Sequence, residues 1–310
     1  MPMCAIPSSQ VNIITNNTHA MNPEKITLSD YFKTLPQYLL PQHLISRITL
    51  QLTRSKTIWF KNALIRWFIG HYDVDMRQAR DSIPENYEHF NAFFTRELRA
   101  GVRSVVNGAH EVACPVDGAV SQLGSIDDGN VFQAKGRDYS LLELLGGSAD
   151  RAAPFRNGRF ATLYLSPRDY HRMHMPLDGT LREMVYVPGR LFAVNRATVK
   201  VIPRVFARNE RVVAIFDTPA GQMAMVLVGA INVGCIETVW HGVVTPPTRP
   251  AITTWPYGNV NLARGEEMGR FNMGSTVVLL FEPGVMEWSE QLHAGSAIQM
   301  GQLLGKTITQ

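Results

Sequence analysis

Three short stretches of this 310-residue chain hold residue types able to do chemistry. Residues 164–179 read YLSPRDYHRMHMPLDG and set His171 and His174 three apart, between a strand-like run and a proline-containing turn. Histidine titrates closest to neutral pH, so the pair suits acid–base work. The same pair also fits ordinary turn or core positions, or two ligands of a metal. A catalytic zinc wants three protein ligands, and no third one stands out nearby. Residues 114–118, CPVDG, end on Asp-Gly, which is commonly a turn. The other use of such a residue, here Asp117, is as the buried carboxylate that fixes the tautomer of a catalytic histidine. Residues 271–284 read FNMGSTVVLLFEPG and place Gly274-Ser275-Thr276 at the mouth of an apolar run that closes on Pro-Gly.

Taken together, Asp117, a histidine and Ser275 follow the chain order of one nucleophilic triad. Ser275 lacks the GxSxG elbow of the α/β hydrolases. A second chemistry suits the glycine better: attack of the serine hydroxyl on the Gly274 carbonyl just before it. Glycine has no side chain to block that approach and lets the backbone bend into it. A bland reading also stands, in which Gly, Ser and Thr merely start a strand.

The elements that must position these residues are legible in outline. After about residue 101, short apolar runs are punctuated by Gly, Pro and Asp: VACPVDGAVSQLG, FATLYLSPRDY, LREMVYVPG, RVVAIFDTPAG, QMAMVLVGAINVG and TVVLLF. That texture predicts an α+β chain whose body, residues 101–310, is predominantly β and sandwich- or barrel-like. One helical piece is expected at 140–145, and a Pro/Thr-rich loop at 242–260. Residues 75–99 predict a helix, a break at Ser82-Ile83-Pro84 and a second helix over 86–94, with Tyr87, Phe90 and Phe94 in the core. Residues 1–30 read as a polar tail with no secretory signal.

Residues 31–72 contain no Asp or Glu, yet hold Lys33, Arg47, Arg54, Lys56, Lys61 and Arg66 among many apolar side chains. Ile58, Trp59, Ile65 and Phe68 or Ile69 recur at helical spacing. This predicts an amphipathic helical region over 31–100 that lies on an anionic membrane surface, apolar face down and cations toward head groups. The net charge of +4 is too small to argue for nucleic acid. Three cysteines without a CxxC suggest neither a disulfide framework nor structural zinc. No GxGxxG or P-loop supports a nucleotide, and no stretch reaches the roughly 18 apolar residues of a membrane span.

Read in order, VDGAVSQLG (116–124), QAKGRDYSL (133–141), LSPRDYHRMHMPLDG (165–179), VPGRLFAVN (187–195), FARNERV (206–212), VGAINVGCIET (228–238) and EMGRFNMGST (267–276) resemble the bacterial-type, pyruvoyl-dependent phosphatidylserine decarboxylases. The likeness runs from about residue 31 to 301. The family's usual Leu-Gly-Ser is Met273-Gly274-Ser275 here, a volume-conserving change. The resemblance implies a zymogen that cuts itself. His174, oriented by Asp117, takes the Ser275 hydroxyl proton, and the oxygen attacks the Gly274 carbonyl to turn the amide into an ester. Loss of the Ser275 α-proton expels the Gly274 carboxylate and leaves dehydroalanine. Hydrolysis then releases ammonia and leaves a covalent pyruvoyl group, so the β chain is 1–274 and the α chain 275–310.

The pyruvoyl group would form a Schiff base with the substrate amine and accept the electrons left by decarboxylation. His171 would protonate the product α-carbon, with His174 an alternative for that role. The implied activity is a carboxy-lyase of phospholipid biosynthesis, phosphatidylserine to phosphatidylethanolamine, with no metal or nucleotide. Its implied setting is peripheral, on the cytoplasmic face of the cell membrane, as a homodimer of the αβ unit. Two rivals remain open from the residues alone: a zinc hydrolase on His171 and His174, and a silent lipid-binding protein using only the basic helices.

Overall fold

Apolar runs of five or six residues in this chain become strands covered on both faces. Val277, Val278, Leu279, Leu280 and Phe281 are all buried. Their strand, Thr276–Phe281, sits in the middle of a nine-stranded sheet. A computed structural model describes residues 26–134, 137–231, 235–246, 250–272 and 276–308. In spatial order the large sheet runs Thr253–Pro256, Gly179–Val187, Arg211–Thr218, Gly221–Val228, Thr276–Phe281, Arg159–Tyr164, Gly118–Ser125 and Ala297–Ile298, with Asn261–Leu262 also pairing Gly179–Val187. Every pairing in it is antiparallel. The expected β-dominated α+β class is the observed one.

A smaller four-stranded sheet matters most for the candidate site. Its order is Gly242–Val243, Ile236–Thr238, Glu267–Phe271 and Arg172–His174. The chain therefore leaves the small sheet at Phe271 and enters the large one at Thr276. Residues 273–275, with Gly274 and Ser275, lie outside the described residues. A three-stranded sheet of Glu111–Ala113, Leu303–Thr307 and Met286–Trp288 ties the end of the chain to the start of the β body.

One dipeptide read as a turn serves another purpose. Gly118, at φ +153, opens its strand directly against Tyr164, and a Cβ there would meet the Tyr164 carbonyl oxygen at 2.1 Å. Only glycine lets Asp117 stand at that junction.

The helices come first in the chain. They are α1 (Leu28–Thr34), α2 (Gln42–Thr53), α3 (Ile58–Tyr72) and α4 (Phe90–Phe94). Thr27 and Asp30 form a reciprocal capping box at the start of α1. Ile65 and Phe68 of α3 join Val74, Phe90, Phe93 and Phe94 in a second core. The expected single apolar stripe on α3 is thus divided. Ile65 and Phe68 face inward, whereas Ile58, Trp59 and Trp67 face outward, Trp59 being 74% exposed. A helix apolar on nearly every side buries one face and leaves the other bare.

The 75–99 stretch holds less helix than its periodicity predicts: a 3₁₀ turn at Met76–Gln78, another at Pro84–Asn86, and α4 over five residues only. Conversely, the short helices Ala149–Ala152, Arg196–Val201 and Val205–Arg208 carry no clear period and were not expected. The helix expected at 140–145 is Leu141–Leu144, capped by Ser140. The 242–260 loop contains two short strands, Gly242–Val243 and Thr253–Pro256.

Candidate active site at the junction of two sheets

Both neighbours of the 273–275 tripeptide are tied to the segment that carries the two histidines. Thr276 pairs with Tyr164, and the Phe271 N–H donates to the His171 carbonyl at 3.0 Å. Asn272, fully inside, is held four ways. Its N–H donates to the Cys235 carbonyl (2.9 Å), its amide nitrogen to Cys235 Sγ (3.0 Å) and Glu237 Oε2 (3.3 Å), and its amide oxygen accepts from Asn91 of α4 (2.8 Å).

His171 has no solvent exposure. Its ring stacks on Phe94 with centroids 4.0 Å apart. Nε2 donates to the Pro167 carbonyl over 3.4 Å, and Nδ1 has no partner among the described residues. Burial, with the Arg96 charge adding to it, pushes its pKa down to about 3, so the ring is neutral at physiological pH. Arg96 is itself buried and holds the same loop through the carbonyls of Arg168 (2.9 Å) and Asp169 (3.5 Å), its Nη1 without a partner among the described residues.

His174 lies on the Arg172–His174 strand, half-buried, its N–H donating to the Pro115 carbonyl (2.9 Å). Nδ1 meets the Gly265 carbonyl at 2.8 Å and Nε2 meets the Tyr170 hydroxyl at 2.9 Å. A carbonyl only accepts, so the proton belongs on Nδ1 and the lone pair on Nε2. Burial lowers the His174 pKa from its ordinary value, against the raising effects of the Gly265 bond and the charges of Glu267 and Asp117.

Asp117 is brought near but does not do what was expected of it. No hydrogen bond joins it to either histidine among the described residues. Arg103 grips its carboxylate from two sides, Nε to Oδ1 at 3.0 Å and Nη2 to Oδ2, and the Met300 N–H donates to Oδ1 at 2.8 Å. Gln78 in turn accepts from Arg103 (2.8 Å). The tautomer of His174 is therefore set by a backbone carbonyl, and Asp117 reaches the imidazole through its charge alone. The physical reason is valence: a carboxylate clamped by a guanidinium fork and a backbone amide is already satisfied.

Sequence reasoning missed Arg103, Tyr170, Arg96 and Asn272. Tyr170 stood inside a quoted motif, four residues before His174. Arg103 had no local signal, since its partner is 14 residues away and its usefulness appears only once both are buried. Among the described residues no group of three His, Cys, Asp or Glu side chains converges as a metal site would require.

Comparison with known proteins follows the same residues. The family model described as phosphatidylserine decarboxylase matches residues 90–306, and one described as PSD matches residues 32–73. A phosphatidylserine decarboxylase proenzyme of Ectopseudomonas mendocina is 56% identical over 275 residues, covering 87% of this chain and 96% of its own. Proenzymes of the same name from Stutzerimonas stutzeri and Nitrosococcus oceani are each 54% identical, over 90% and 91% of this chain and 95% and 93% of their own.

Two outcomes follow for stability, both measured by urea unfolding of a chain carrying Ser275→Ala. Arg103→Met leaves the Asp117 carboxylate buried without its partner and costs about 3–5 kcal/mol, and adding Asp117→Asn recovers part of the loss. The second concerns pH. Unfolded His171 takes a proton below its ordinary pKa of 6.5, and folded His171 only near 3. Stability complete above pH 6.5 is lost progressively as pH falls toward 3, and His171→Phe flattens that dependence in the same window.

Proposed function

The chain belongs to the phosphatidylserine decarboxylase family, and from that premise we propose that it cuts itself between Gly274 and Ser275 and then converts phosphatidylserine to phosphatidylethanolamine and CO2. The observation that carries this reading is the double tether of Phe271 and Thr276 to the segment bearing Tyr164, Tyr170, His171 and His174.

His174 is the base of the first reaction. Its Nδ1–H is committed to Gly265, its Nε2 lone pair, which accepts from the Tyr170 hydroxyl, is the basic site, and burial keeps the ring in the neutral, proton-accepting form. The Ser275 oxygen, freed of its proton, attacks the Gly274 carbonyl and the amide becomes an ester. Removal of the Ser275 α-proton then expels the Gly274 carboxylate, and hydrolysis leaves the new amino terminus as a pyruvoyl group. The nearby Asp117 charge favours the imidazolium that forms in the first step, while Arg103 holds that carboxylate in place.

The pyruvoyl group supplies the electron sink that no side chain offers. The surroundings fit a polar group at residue 275. His171 Nδ1, Arg96 Nη1, Asn91 Oδ1 and Thr276 Oγ1 are buried and without a partner among the described residues, and folded interiors leave few such atoms without a use. His171, neutral with its proton on Nε2, offers an open Nδ1 lone pair through which a proton bound for the product α-carbon would be relayed. Phe94 and the buried backbone around it exclude water from that proton.

Residues 31–100 are the membrane-contacting region of this reading and 101–310 the catalytic body. Among the described residues no helix is long and apolar enough to cross a membrane. Leu28, Phe32, Leu39, Ile58, Trp59 and Trp67 are exposed, Phe32 by 80% and Leu39 by 90%. A contact with the anionic, cytoplasmic face of the membrane would cover them. The cations contribute less than their number suggested. Lys56 pairs with Glu88 at 2.5 Å, Arg66 pairs with Glu85, buried Lys61 donates to the Glu85 carbonyl, and Arg54 points to Cys235. The acid-free segment thus borrows carboxylates from the next one. Apolar insertion is the main force in this reading, with the charges secondary. A homodimer of the αβ unit is the assembly the family resemblance implies.

Ser275→Ala leaves one uncut, inactive chain of 34.6 kDa by intact mass. The parent chain gives two fragments divided after Gly274, the smaller without a free amino terminus and reducible by borohydride. Normal cutting of the variant would refute the mechanism. Replacing Ile58, Trp59 and Trp67 together by serine lowers binding to anionic liposomes by at least about 10-fold in sedimentation assays, with soluble-phase cutting unchanged.

A further inference from the structure

Two stretches of the chain, VPGRLFAVN (187–195) and FARNERV (206–212), supply no side chain to the candidate active site, yet they meet each other. The Arg190 N–H donates to the Arg208 carbonyl and the Glu210 N–H to the Arg190 carbonyl, both at 2.8 Å. Buried Asn209 pins Phe192 beside them, accepting from its N–H (3.1 Å) and donating to its carbonyl (2.8 Å). This pairing brings two guanidiniums onto one aromatic ring. Their carbons lie 5.6 Å (Arg190) and 5.1 Å (Arg208) from the Phe192 centroid, and Arg208 is also 5.4 Å from that of Tyr38. Tyr38 packs on Phe192 with centroids 4.9 Å apart. Its carbonyl accepts from Arg190 at 2.9 Å and its hydroxyl from Arg208 at 3.2 Å.

Cations gathered in this way repel one another unless an anion stands among them. Stacking on aromatic rings offsets only part of that cost. Among the described residues no carboxylate pairs with Arg190 or Arg208, nor with His43 and Arg47 of α2. Glu210 feels the charges of His43 and Arg47, but it is buried, its carboxylate accepts from the Tyr186 hydroxyl at 2.9 Å, and burial pushes its pKa up. A guanidinium carries five N–H donors. The side-chain bonds of these two go to Tyr38 alone, and Arg190 is exposed and Arg208 half-buried, so spare donors remain within reach of solvent. Rigid forks with free donors match the oxygens of a phosphate.

The surroundings say where that phosphate comes from. Tyr38 leads directly into Leu39, 90% exposed, and Leu40; Leu44 is exposed one turn on. Leu40, Pro41, His43 and Leu44 line, with Arg190, a hollow of about 190 Å³. Arg211, three residues past Arg208, pairs with Val228, which also pairs with Thr276. The arginines therefore stand at the end of the large sheet where the candidate active site lies. Bare leucines beside fixed guanidiniums suit one occupant, a lipid still in its bilayer, with acyl chains against the leucines and its phosphate on the forks. We propose that Arg190 and Arg208, held on Phe192 and Tyr38, seat the headgroup phosphate of a membrane glycerophospholipid. The inference rests on the membrane contact of residues 31–100 and deepens it: the cations that engage the bilayer come from the β body, outside the acid-free segment.

The test is co-sedimentation of the full-length chain with vesicles of equal parts phosphatidylglycerol and phosphatidylcholine. Arg190→Gln combined with Arg208→Gln weakens binding by about 30-fold, at roughly five-fold per basic residue on an anionic surface. Arg190→Lys combined with Arg208→Lys keeps the charge, loses the planar fork, and weakens binding by at least about 3-fold. Parent-like binding by the glutamine pair overturns the seat. Parent-like binding by the lysine pair overturns it too, because only diffuse charge would then be at work. Should the Arg208 variants misfold by circular dichroism, exposed Arg190→Gln alone decides, about five-fold weaker binding supporting the seat and parent-like binding overturning it. Inorganic phosphate separates the sources. If millimolar phosphate raises the Tm of the parent but not of the glutamine pair, and the pair still sediments like the parent, the site takes a free anion and the lipid assignment is overturned. Failure of the membrane reading looks different, since the parent chain itself would then stay in the supernatant, which overturns both. Parent-like arginine variants beside a weakened Ile58, Trp59 and Trp67 variant overturn the seat and leave that reading standing.

Discussion

A strand that must stay in the middle of a sheet after the chain is severed just ahead of it governs much of this structure. Thr276–Phe281 is paired on one side with Arg159–Tyr164 and on the other with Gly221–Val228, six positions each way. Its side chains are buried on both faces, and each large apolar one contributes about 1.5–3 kcal/mol. Beyond it, Met286–Trp288 and Leu303–Thr307 share a sheet with Glu111–Ala113, and Ala297–Ile298 pairs with the start of Gly118–Ser125. A short fragment beginning at residue 275 is therefore woven into two sheets. It has no need of its covalent link to remain in the fold, as the proposed cut at that link requires.

The same strand start carries a cost in buried polar groups. His171, His174, Tyr170, Arg96 and Asp117 crowd the place where the two sheets exchange the chain. Taking the two imidazoles out of water disfavours their charged forms and keeps both neutral. The charges that remain are secured individually: Asp117 by Arg103, and Arg172 by Glu267 at 2.8 Å and Glu97 at 3.2 Å. The buried atoms without a partner among the described residues include those of Asn91, His171 and Thr276, which belong to residues tied to the segments on either side of the tripeptide, in keeping with a site that receives a polar group.

The helical region differs from the β body in what it leaves uncovered. Its inward face completes a small aromatic core around Phe90, Phe93 and Phe94, and Phe94 passes from that core to the His171 ring. Arg54, which caps α2, and Asn91 of α4 both reach the polar group around Asn272 and Cys235. The region with bare leucines and tryptophans is thus in direct contact with the strand that leads into the cutting site. A lipid substrate that never leaves its bilayer would need that proximity.

Sequence alone determined the apolar runs that become strands, the acid-free apolar segment, and the identity and order of Asp117, His171, His174 and the Gly274-Ser275 pair. Those are properties of local composition, period and motif, and they survive into the structure because burial is set largely by which side chains are apolar. Only the tertiary structure decided which polar atom meets which. Arg103 takes Asp117, Gly265 fixes His174, Tyr170 occupies Nε2, and Glu85 and Glu88 neutralise the cations of α3 and its approach. Such pairs join residues from 4 to 91 positions apart and depend on angle and depth. A one-dimensional pattern records that a side chain is polar, but not the partner that burial will force upon it.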